Sequence, residues 1–299
     1  MKIKFFTDLW NVFGEMIKIK KYAPEIKFFF RHFKLDDDPK KSLERIINFV
    51  RKNPTIDDLL QISKTYDMIS RAEKRAEEKG WNYACLGAVE EMGVNYEILG
   101  KENIPANDRA LYFSNHPYGL LDGVILLGGL GSLLNKKKKK LKMIAMNPLR
   151  FIKGIEEIIY FVHSTANKIN FGSLRESLKY VSNEGDLAMY PSRRISGEGL
   201  KEYQWGKGLE ILATHSPYVV PMWFSGPDHD KMYNFIAKNK RTEKLRNIFS
   251  LKEAWNKAGQ TVILKIGEPI KSEKIKEMRR PEERVQYLRR IAESLKVAV

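Results

Sequence analysis

The spacing of hydrophobic residues changes near residue 80 of the chain. Before that point hydrophobic positions recur at helical spacing, most clearly at Ile56, Leu59, Leu60, Ile62 and Ile69. This period predicts an amphipathic helix with Thr55 as its N-cap and Gly80 at its end. A shorter helix is predicted from Ser42 through Val50, after the polar break "KLDDDPKK". The first 80 residues are therefore predicted to be helical.

From Tyr96 onward short strands and helices are predicted to alternate. The strand candidates are apolar or β-branched runs, namely "YEILG", "ALYFS", "KMIAM", "IIYFV", "DLAMY", "YVVPMWF" and "TVILKIG". Helices are predicted between them at Asp122 to Leu134, Ser173 to Ser182 and Lys207 to Thr214. The alternation predicts an α/β fold with a largely parallel, mixed central sheet flanked by helices. We divide the chain into an N-terminal helical region, residues 1–85, and an α/β domain, residues 86–299.

Composition and charge limit the classes of partner. Hydrophobic residues make up 43% of the 299 residues, enough to form a sizeable core. The 53 Lys and Arg exceed the 37 Asp and Glu, and the formal net charge of +16 favours nucleic acid, an anionic membrane or phosphorylated metabolites as partners. Cys85 is the only cysteine, which excludes an internal disulfide and a cysteine-based zinc site and fits a reducing compartment.

Membrane contact is expected at the surface of the protein. No signal peptide is evident, and the longest apolar stretch, Gly119 to Leu134, contains Asp122 and is shorter than the roughly 20 residues of a spanning helix. Residues 1–35 mix lysines with aromatic residues, which is typical of either an interfacial segment or the core of a helical domain. The lysine run Lys136 to Lys140 indicates either a solvated loop or a contact with an anionic surface.

The candidate chemistry lies where the predicted strand "ALYFS" runs into Asn115 and His116. Ligand sites of open α/β sheets lie at such carboxyl ends of strands. On a regular helix His116 and Asp122 would be about 120° apart, so a tight turn is needed to bring them together. Pro117 and Gly119 predict that turn. If Asp122 accepts a hydrogen bond from one imidazole nitrogen, the other is able to take a proton from an attacking hydroxyl. A purely structural hydrogen bond is the alternative.

Several motifs, in order along residues 94 to 272, resemble those of the glycerolipid acyltransferases of the lysophosphatidic acid type. "SNHPYGLLDG" is similar to the first motif, in the longer form "HP-x-G-x-LDG" of the hemolysin-like branch, with five residues between His and Asp. "GDLAMYPSRRIS" stands where Phe-Pro-Glu-Gly-x-Arg is expected. "YVVPMWFSG" resembles the strand that ends in Val-Pro, and "LKIGEPI" resembles the closing Gly-x-Pro-Ile strand.

The resemblance implies transfer of a fatty acyl group from acyl-CoA or acyl-carrier protein to a lyso-phospholipid or related lipid acceptor at the membrane surface. His116 would be the general base, oriented by Asp122, and backbone N–H groups around Gly119 to Leu121 would stabilise the oxyanion. The resemblance requires no metal or other cofactor beyond the acyl donor. The expected partners are an anionic membrane surface, the thioester and the lipid acceptor, not nucleic acid. The expected location is peripheral, on the cytoplasmic face of the membrane.

The chain departs from the family at positions that bind the acceptor's phosphate. His163 and Ser164 stand in the second motif, where an Arg is usual. In the third motif Ser192 replaces Glu, and Ile195 replaces Arg. Arg193 and Arg194 nevertheless offer forked hydrogen bonds to a phosphate. The predicted substrate-binding residues are therefore Asn115, Gly119, Ser192, Arg193 and Arg194.

Two other functions fit parts of the sequence. One is a basic membrane- or nucleic-acid-binding protein with an inactive acyltransferase fold, although no helix-turn-helix, zinc-finger or RNA-binding motif is found. The other is a hydrolase whose His/Asp pair activates water, although no nucleophile elbow is present, and no P-loop supports an NTPase. His229 lies between Asp228 and Asp230, but without further ligands at suitable spacing it does not predict a metal site. His32 and His215 are interpreted as surface or structural residues.

Overall fold

A computed structural model of the protein describes residues 39–162, 171–238 and 246–298. The aromatic and basic segment of residues 1–35, including His32, lies outside the described residues. So do His163 and Ser164 of the second motif. The predictions made for these positions therefore remain predictions.

Four helices precede the first strand in the described part of the chain: α1 (Pro39–Arg51), α2 (Pro54–Leu60), α3 (Ile62–Lys79) and α4 (Trp81–Glu91). The single helix predicted up to Gly80 is wrong, because Gln61 has a left-handed φ of 55° and separates α2 from α3. The Asp57 carboxylate accepts the N–H of Ser63 at 2.8 Å and so stabilises the start of the second helix. Hydrophobic spacing missed the break because both helices bury their apolar side chains. Gly80 ends α3 as predicted, but the N-cap of α2 is Asn53, not Thr55.

In the ranges that the structure describes, eight strands form one sheet: β1 (Asn95–Leu99), β2 (Ala110–Phe113), β3 (Leu141–Met146), β4 (Ile159–Val162), β5 (Asp186–Met189), β6 (Tyr218–Ser225), β7 (Thr261–Ile266) and β8 (Ile270–Lys271). The strand order is β1-β7-β6-β2-β5-β3-β4, and β8 pairs with β6. The β6–β7 and β6–β8 pairs are antiparallel and the other pairs are parallel. The predicted largely parallel, mixed sheet is confirmed, and only the two-residue strand β8 was not predicted.

The remaining helices flank the sheet: α5 (Leu120–Ile125), α6 (Gly131–Lys136), α7 (Phe171–Asn183), α8 (Gly208–Ala213), α9 (Lys231–Lys238), α10 (Arg246–Trp255), α11 (Ser272–Lys276) and α12 (Pro281–Glu293). A π-helical segment, Leu126–Leu130, joins α5 to α6. Alternate residues of β2 face two different cores: Tyr112 packs into one cluster, and Leu111 and Phe113 into the other. Side chains alternate across a strand, so the helices cover both faces of the sheet.

The N-terminal helices pack directly on the α/β part of the chain. The predicted boundary between residues 85 and 86 lies inside α4, whose Trp81 and Ala88 share a core with β2. Val50 of α1 and Leu59 of α2 share another core with Met232 of α9. The boundary therefore does not mark a gap between cores. Among the described residues, no helix combines the length and the apolar character needed to cross a membrane.

Two lysines of the run Lys136 to Lys140 form polar contacts with other parts of the chain. Lys137 donates to the backbone carbonyl of Ile104 at 2.9 Å. The Nζ of Lys139 lies 3.1 Å from a carboxylate oxygen of Asp186, whose side chain is fully buried and also accepts the N–H of Ala110. At least these two lysines thus attach the turn before β3 to the sheet, so the run is not simply a solvated loop.

Replacing Lys139 with methionine should lower the free energy of unfolding by about 2 to 3 kcal/mol, because it leaves a buried carboxylate without its cation. Burial already raises the pKa of Asp186, although Lys139 opposes this shift. A carboxyl whose pKa is raised by folding destabilises the folded protein at pH values above that pKa. Loss of Lys139 should raise the pKa of Asp186 further, so the difference in the free energy of unfolding between wild type and Lys139→Met should shrink as the pH falls. Urea unfolding at pH 7 and pH 5 checks this. Lys136→Met, at an exposed position of the same run, should change stability by less than about 0.5 kcal/mol, and an equal loss in both variants would contradict the assignment.

Candidate active site

The turn after β2 is tight and non-helical, as the spacing of His116 and Asp122 requires. Gly119 precedes helix α5 with a φ of 63° and a ψ of −113°, a conformation that essentially only glycine adopts. A Cβ atom at this position would lie 2.8 Å from the Cδ1 atom of Ile195. Gly119 is therefore needed both for the turn and for close packing against the loop after β5.

This turn brings His116 and Asp122 together. Nδ1 of His116 lies 2.9 Å from Oδ2 of Asp122, and the same oxygen accepts the N–H of Tyr118 at 2.7 Å. The His116 side chain is 17% exposed, whereas Asp122 is completely buried. An ionised carboxylate only accepts hydrogen bonds, so Nδ1 is assigned the proton and Nε2 of the neutral ring is left as an acceptor.

The buried environment of Asp122 disfavours the ionised form of its carboxyl group. Burial raises the pKa of this carboxyl, and the hydrogen bonds from His116 and Tyr118 only partly offset the effect. Its second oxygen, Oδ1, is buried and has no hydrogen-bond partner among the described residues. The carboxylate is thus held in an apolar site where its interaction with His116 is strong.

Tyr190 lies against the ring of His116. The two rings are stacked, with centroids 4.0 Å apart and planes at 11°. Because β5 runs parallel beside β2, the residue after β5 reaches the same sheet edge as the turn after β2. Burial, together with the nearby charge of Asp122, raises the pKa of the Tyr190 hydroxyl, which therefore stays protonated. The sequence marked Tyr190 as part of the third motif but did not predict this contact.

The loop between β5 and α8 holds the backbone of His116 on both sides. The N–H of His116 donates to Oε1 of Glu202 at 3.2 Å, and its carbonyl accepts the N–H of Ser196 at 2.7 Å. Sequence reasoning missed both residues, since nothing in their spacing relates them to a histidine some 80 positions earlier.

The structure places the side chains of two predicted substrate-binding residues, Asn115 and Ser192, inside the protein, and their role in substrate binding stays a prediction. The Asn115 side chain is buried, and its amide donates to the carbonyl of Phe224 at 2.9 Å and accepts the N–H of the same residue at 2.7 Å. It therefore ties the end of β2 to β6. Ser192 is also buried, and its hydroxyl donates to the carbonyl of Arg194. Both side chains stabilise the loops around the site from within.

Arg193 and Arg194 are exposed in the loop after β5. The guanidinium of Arg194 lies over the ring of Tyr203, 5.4 Å from its centroid. Arg193 has a left-handed φ of 54°, which turns the chain at the rim of the loop. A role of these two arginines in binding an acidic head group remains a prediction.

The loop after β6 contributes to a buried polar cluster. His229 is fully buried, and its Nδ1 lies 3.2 Å from Glu253 of α10. Glu253 also pairs with Lys257 at 2.5 Å. Within the described ranges no group of three or more His, Cys, Asp or Glu could hold a metal ion. His215 lies at the surface, with Nδ1 2.8 Å from the carbonyl of Ile211.

Comparison with known proteins gives two clear sequence matches. The chain is 27% identical over 223 residues to a lyso-glycine lipid O-acyltransferase of Phocaeicola vulgatus, a match that covers 71% of this chain and 76% of the relative. It is 25% identical over 222 residues to a protein of the same description from Bacteroides thetaiotaomicron, covering 71% and 78%. No protein-family model matches the chain.

Among solved structures, the chain is similar to the 1-acyl-sn-glycerophosphate acyltransferase PlsC from Thermotoga maritima. That likeness has a TM-score of 0.47 and 18% sequence identity, and it covers 97% of this chain and 95% of the other. The sequence matches to the two O-acyltransferases agree with the resemblance of the motifs. The chain is thus similar in sequence, over more than two thirds of its length, to two lyso-glycine lipid O-acyltransferases.

Proposed function

We propose that the protein transfers a fatty acyl group from a thioester, acyl-CoA or acyl-carrier protein, to the hydroxyl of a lyso-lipid at a membrane surface. The observation that supports this most directly is the 2.9 Å contact between His116 and Asp122 at the carboxyl end of β2. The two sequence relatives are O-acyltransferases of a lyso-glycine lipid, which favours a hydroxyl over an amine as the acceptor group.

The proposed reaction uses His116 as a proton carrier. Nε2 takes the proton of the acceptor hydroxyl while that oxygen attacks the thioester carbonyl and forms the new C–O bond. Backbone N–H groups at Gly119 to Leu121 would stabilise the negative oxygen, because the first N–H groups of a helix are not used within it. Collapse of the intermediate breaks the C–S bond, and the leaving thiolate takes the proton from His116. The products are an ester and a free thiol.

The lyso-lipid is proposed to have an acidic head group. Arg193 and Arg194 are exposed on the loop whose Ser196 and Glu202 bind the backbone of His116, and we propose that they reach the same site. Arginine binds carboxylate and phosphate with forked hydrogen bonds. The net charge of +16 also favours approach to an anionic membrane surface. We propose a peripheral location on the cytoplasmic face.

The test is acyl transfer by the purified full chain, with palmitoyl-CoA or palmitoyl-acyl-carrier protein as donor. The acceptors are a lyso-glycine lipid, lysophosphatidic acid and a lyso-lipid without an acidic group, each in mixed vesicles. Mass spectrometry should detect an O-acylated product with an acidic acceptor, and the lipid lacking that group should react at least about tenfold more slowly. Thioester loss without acylated product would favour a hydrolase. Absence of turnover, with strongly salt-dependent binding to nucleic acid, would favour a binding protein.

A further inference from the structure

We propose that Glu202 is a positioning residue that holds the backbone of His116 and thereby aims its imidazole. The inference rests on the proposed function for its kinetic test, but its geometry does not depend on the identity of the substrates. Glu202 lies in the loop between β5 and α8, remote from the motif that contains His116.

Glu202 makes three hydrogen bonds within this site. One oxygen accepts the N–H of His116 at 3.2 Å and also accepts the hydroxyl of Ser196. The other oxygen accepts the indole N–H of Trp205 at 3.1 Å. Trp205 is buried in the core on one face of the sheet, so it anchors the carboxylate to a rigid part of the protein. Glu202 therefore joins the core, its own loop and the histidine.

The contacts of His116 divide into those on its ring and those on its backbone. Asp122 fixes Nδ1, and Tyr190 stacks on one face of the ring. These contacts act on the ring and not on the backbone of His116. Glu202 and Ser196 restrain the backbone of His116, because Glu202 accepts the N–H of His116 and Ser196 donates its own N–H to the carbonyl of His116. A misplacement of about 1 Å is able to cost about 100-fold in rate.

Loss of the Glu202 carboxylate would remove one restraint on the backbone of His116 and weaken the other. The N–H of His116 would lose its acceptor, which is costly in a part-buried site. Ser196 would lose the partner of its hydroxyl, and the loop that supplies its N–H would loosen. We therefore expect an effect on turnover that exceeds the effect on substrate binding.

The experiment compares Glu202→Ala, Glu202→Gln and Glu198→Ala with wild type. Glu198 lies in the same loop, but it is exposed and pairs with Lys238, so its replacement controls for a change of loop charge. Glutamine keeps one oxygen able to accept the His116 N–H. We expect kcat to fall about 10- to 100-fold in Glu202→Ala, to recover to within about fivefold of wild type in Glu202→Gln, and to stay unchanged in Glu198→Ala. KM should change less than threefold, as expected when binding is spared.

A second readout does not depend on activity. The chain has five histidines, so ¹⁵N labelling of histidine gives few imidazole signals, and His116→Ala identifies those of His116. In wild type the shifts should report one tautomer with the proton on Nδ1; in Glu202→Ala they should report a mixture, with thermal unfolding still cooperative. Unchanged kcat and an unchanged tautomer in Glu202→Ala would overturn the inference. Absence of acyl transfer by wild type would instead count against the proposed function, while the tautomer still tests Glu202.

Discussion

Replacing His116 with alanine should lower kcat for acyl transfer by about a thousandfold or more, since a positioned general base contributes about 10²- to 10⁴-fold. Asp122→Asn keeps the size of the side chain but removes the charge that stabilises the protonated imidazole. That variant should lose about 10²- to 10³-fold in kcat. Both losses should appear in kcat much more than in KM, because neither side chain is proposed to bind the acyl chain or the head group.

The measurement is initial thiol release together with product analysis, at equal protein concentration and with unfolding curves for each variant. His215→Ala is the matched control, because that histidine lies at the surface and contacts the backbone of its own helix. His215→Ala should keep wild-type kcat. If His116→Ala retains more than a tenth of wild-type turnover, His116 is not the base.

Much of this site could be predicted from the sequence because its central pair is local. Pro117 and Gly119 dictate a turn, and five intervening residues limit the ways in which His116 and Asp122 meet. The strands were predictable for a related reason, since the buried strands of a largely parallel sheet form short apolar runs between turns. The spacing of hydrophobic residues and the preference of proline and glycine for turns both act over a few residues, so a single sequence is enough to recognise them.

The surroundings of the pair were not predictable because they depend on strand order. Tyr190 contacts His116 only because β5 lies beside β2. The Asn115 side chain forms hydrogen bonds with the backbone of Phe224 only because β6 lies on the other side of β2. A single sequence does not specify that order. The break between helices α2 and α3 at Gln61 was not predicted for a different reason. The left-handed conformation of Gln61 leaves the spacing of hydrophobic residues unchanged.

These contacts also explain how the site tolerates five residues between its histidine and its aspartate. Gly119 turns the chain in a conformation with positive φ, and Tyr118 donates its N–H to the Asp122 carboxylate. The Tyr118 hydroxyl then donates to the carbonyl of Pro227 in the loop after β6 at 2.8 Å. The turn is thus held at both ends, and its far end rests on the cluster formed by His229 and Glu253.

Replacing Glu253 with glutamine should lower the free energy of unfolding at pH 7 by about 3 to 5 kcal/mol, more than the replacement of Lys139 with methionine. The change leaves the cation of Lys257 without its counterion, although that lysine is only 3% exposed, and it weakens the contact with His229. Glu184→Gln is the control, because Glu184 is half-exposed and lies 3.7 Å from Lys179. Such a surface pair contributes about 0 to 1 kcal/mol.

The pH dependence of the same variant gives an independent check. Burial alone would raise the pKa of Glu253, but the hydrogen bond from His229 and the charge of Lys257 outweigh it and lower the pKa below its ordinary 4.5. A carboxyl whose pKa is lowered by folding stabilises the protein above its unfolded pKa and loses that contribution as the pH falls through the folded pKa. The difference between wild type and Glu253→Gln should hence be full at pH 7 and shrink below about pH 4.5. A difference that stays constant from pH 7 to pH 3 would show that the loss comes from packing and not from the charge of Glu253.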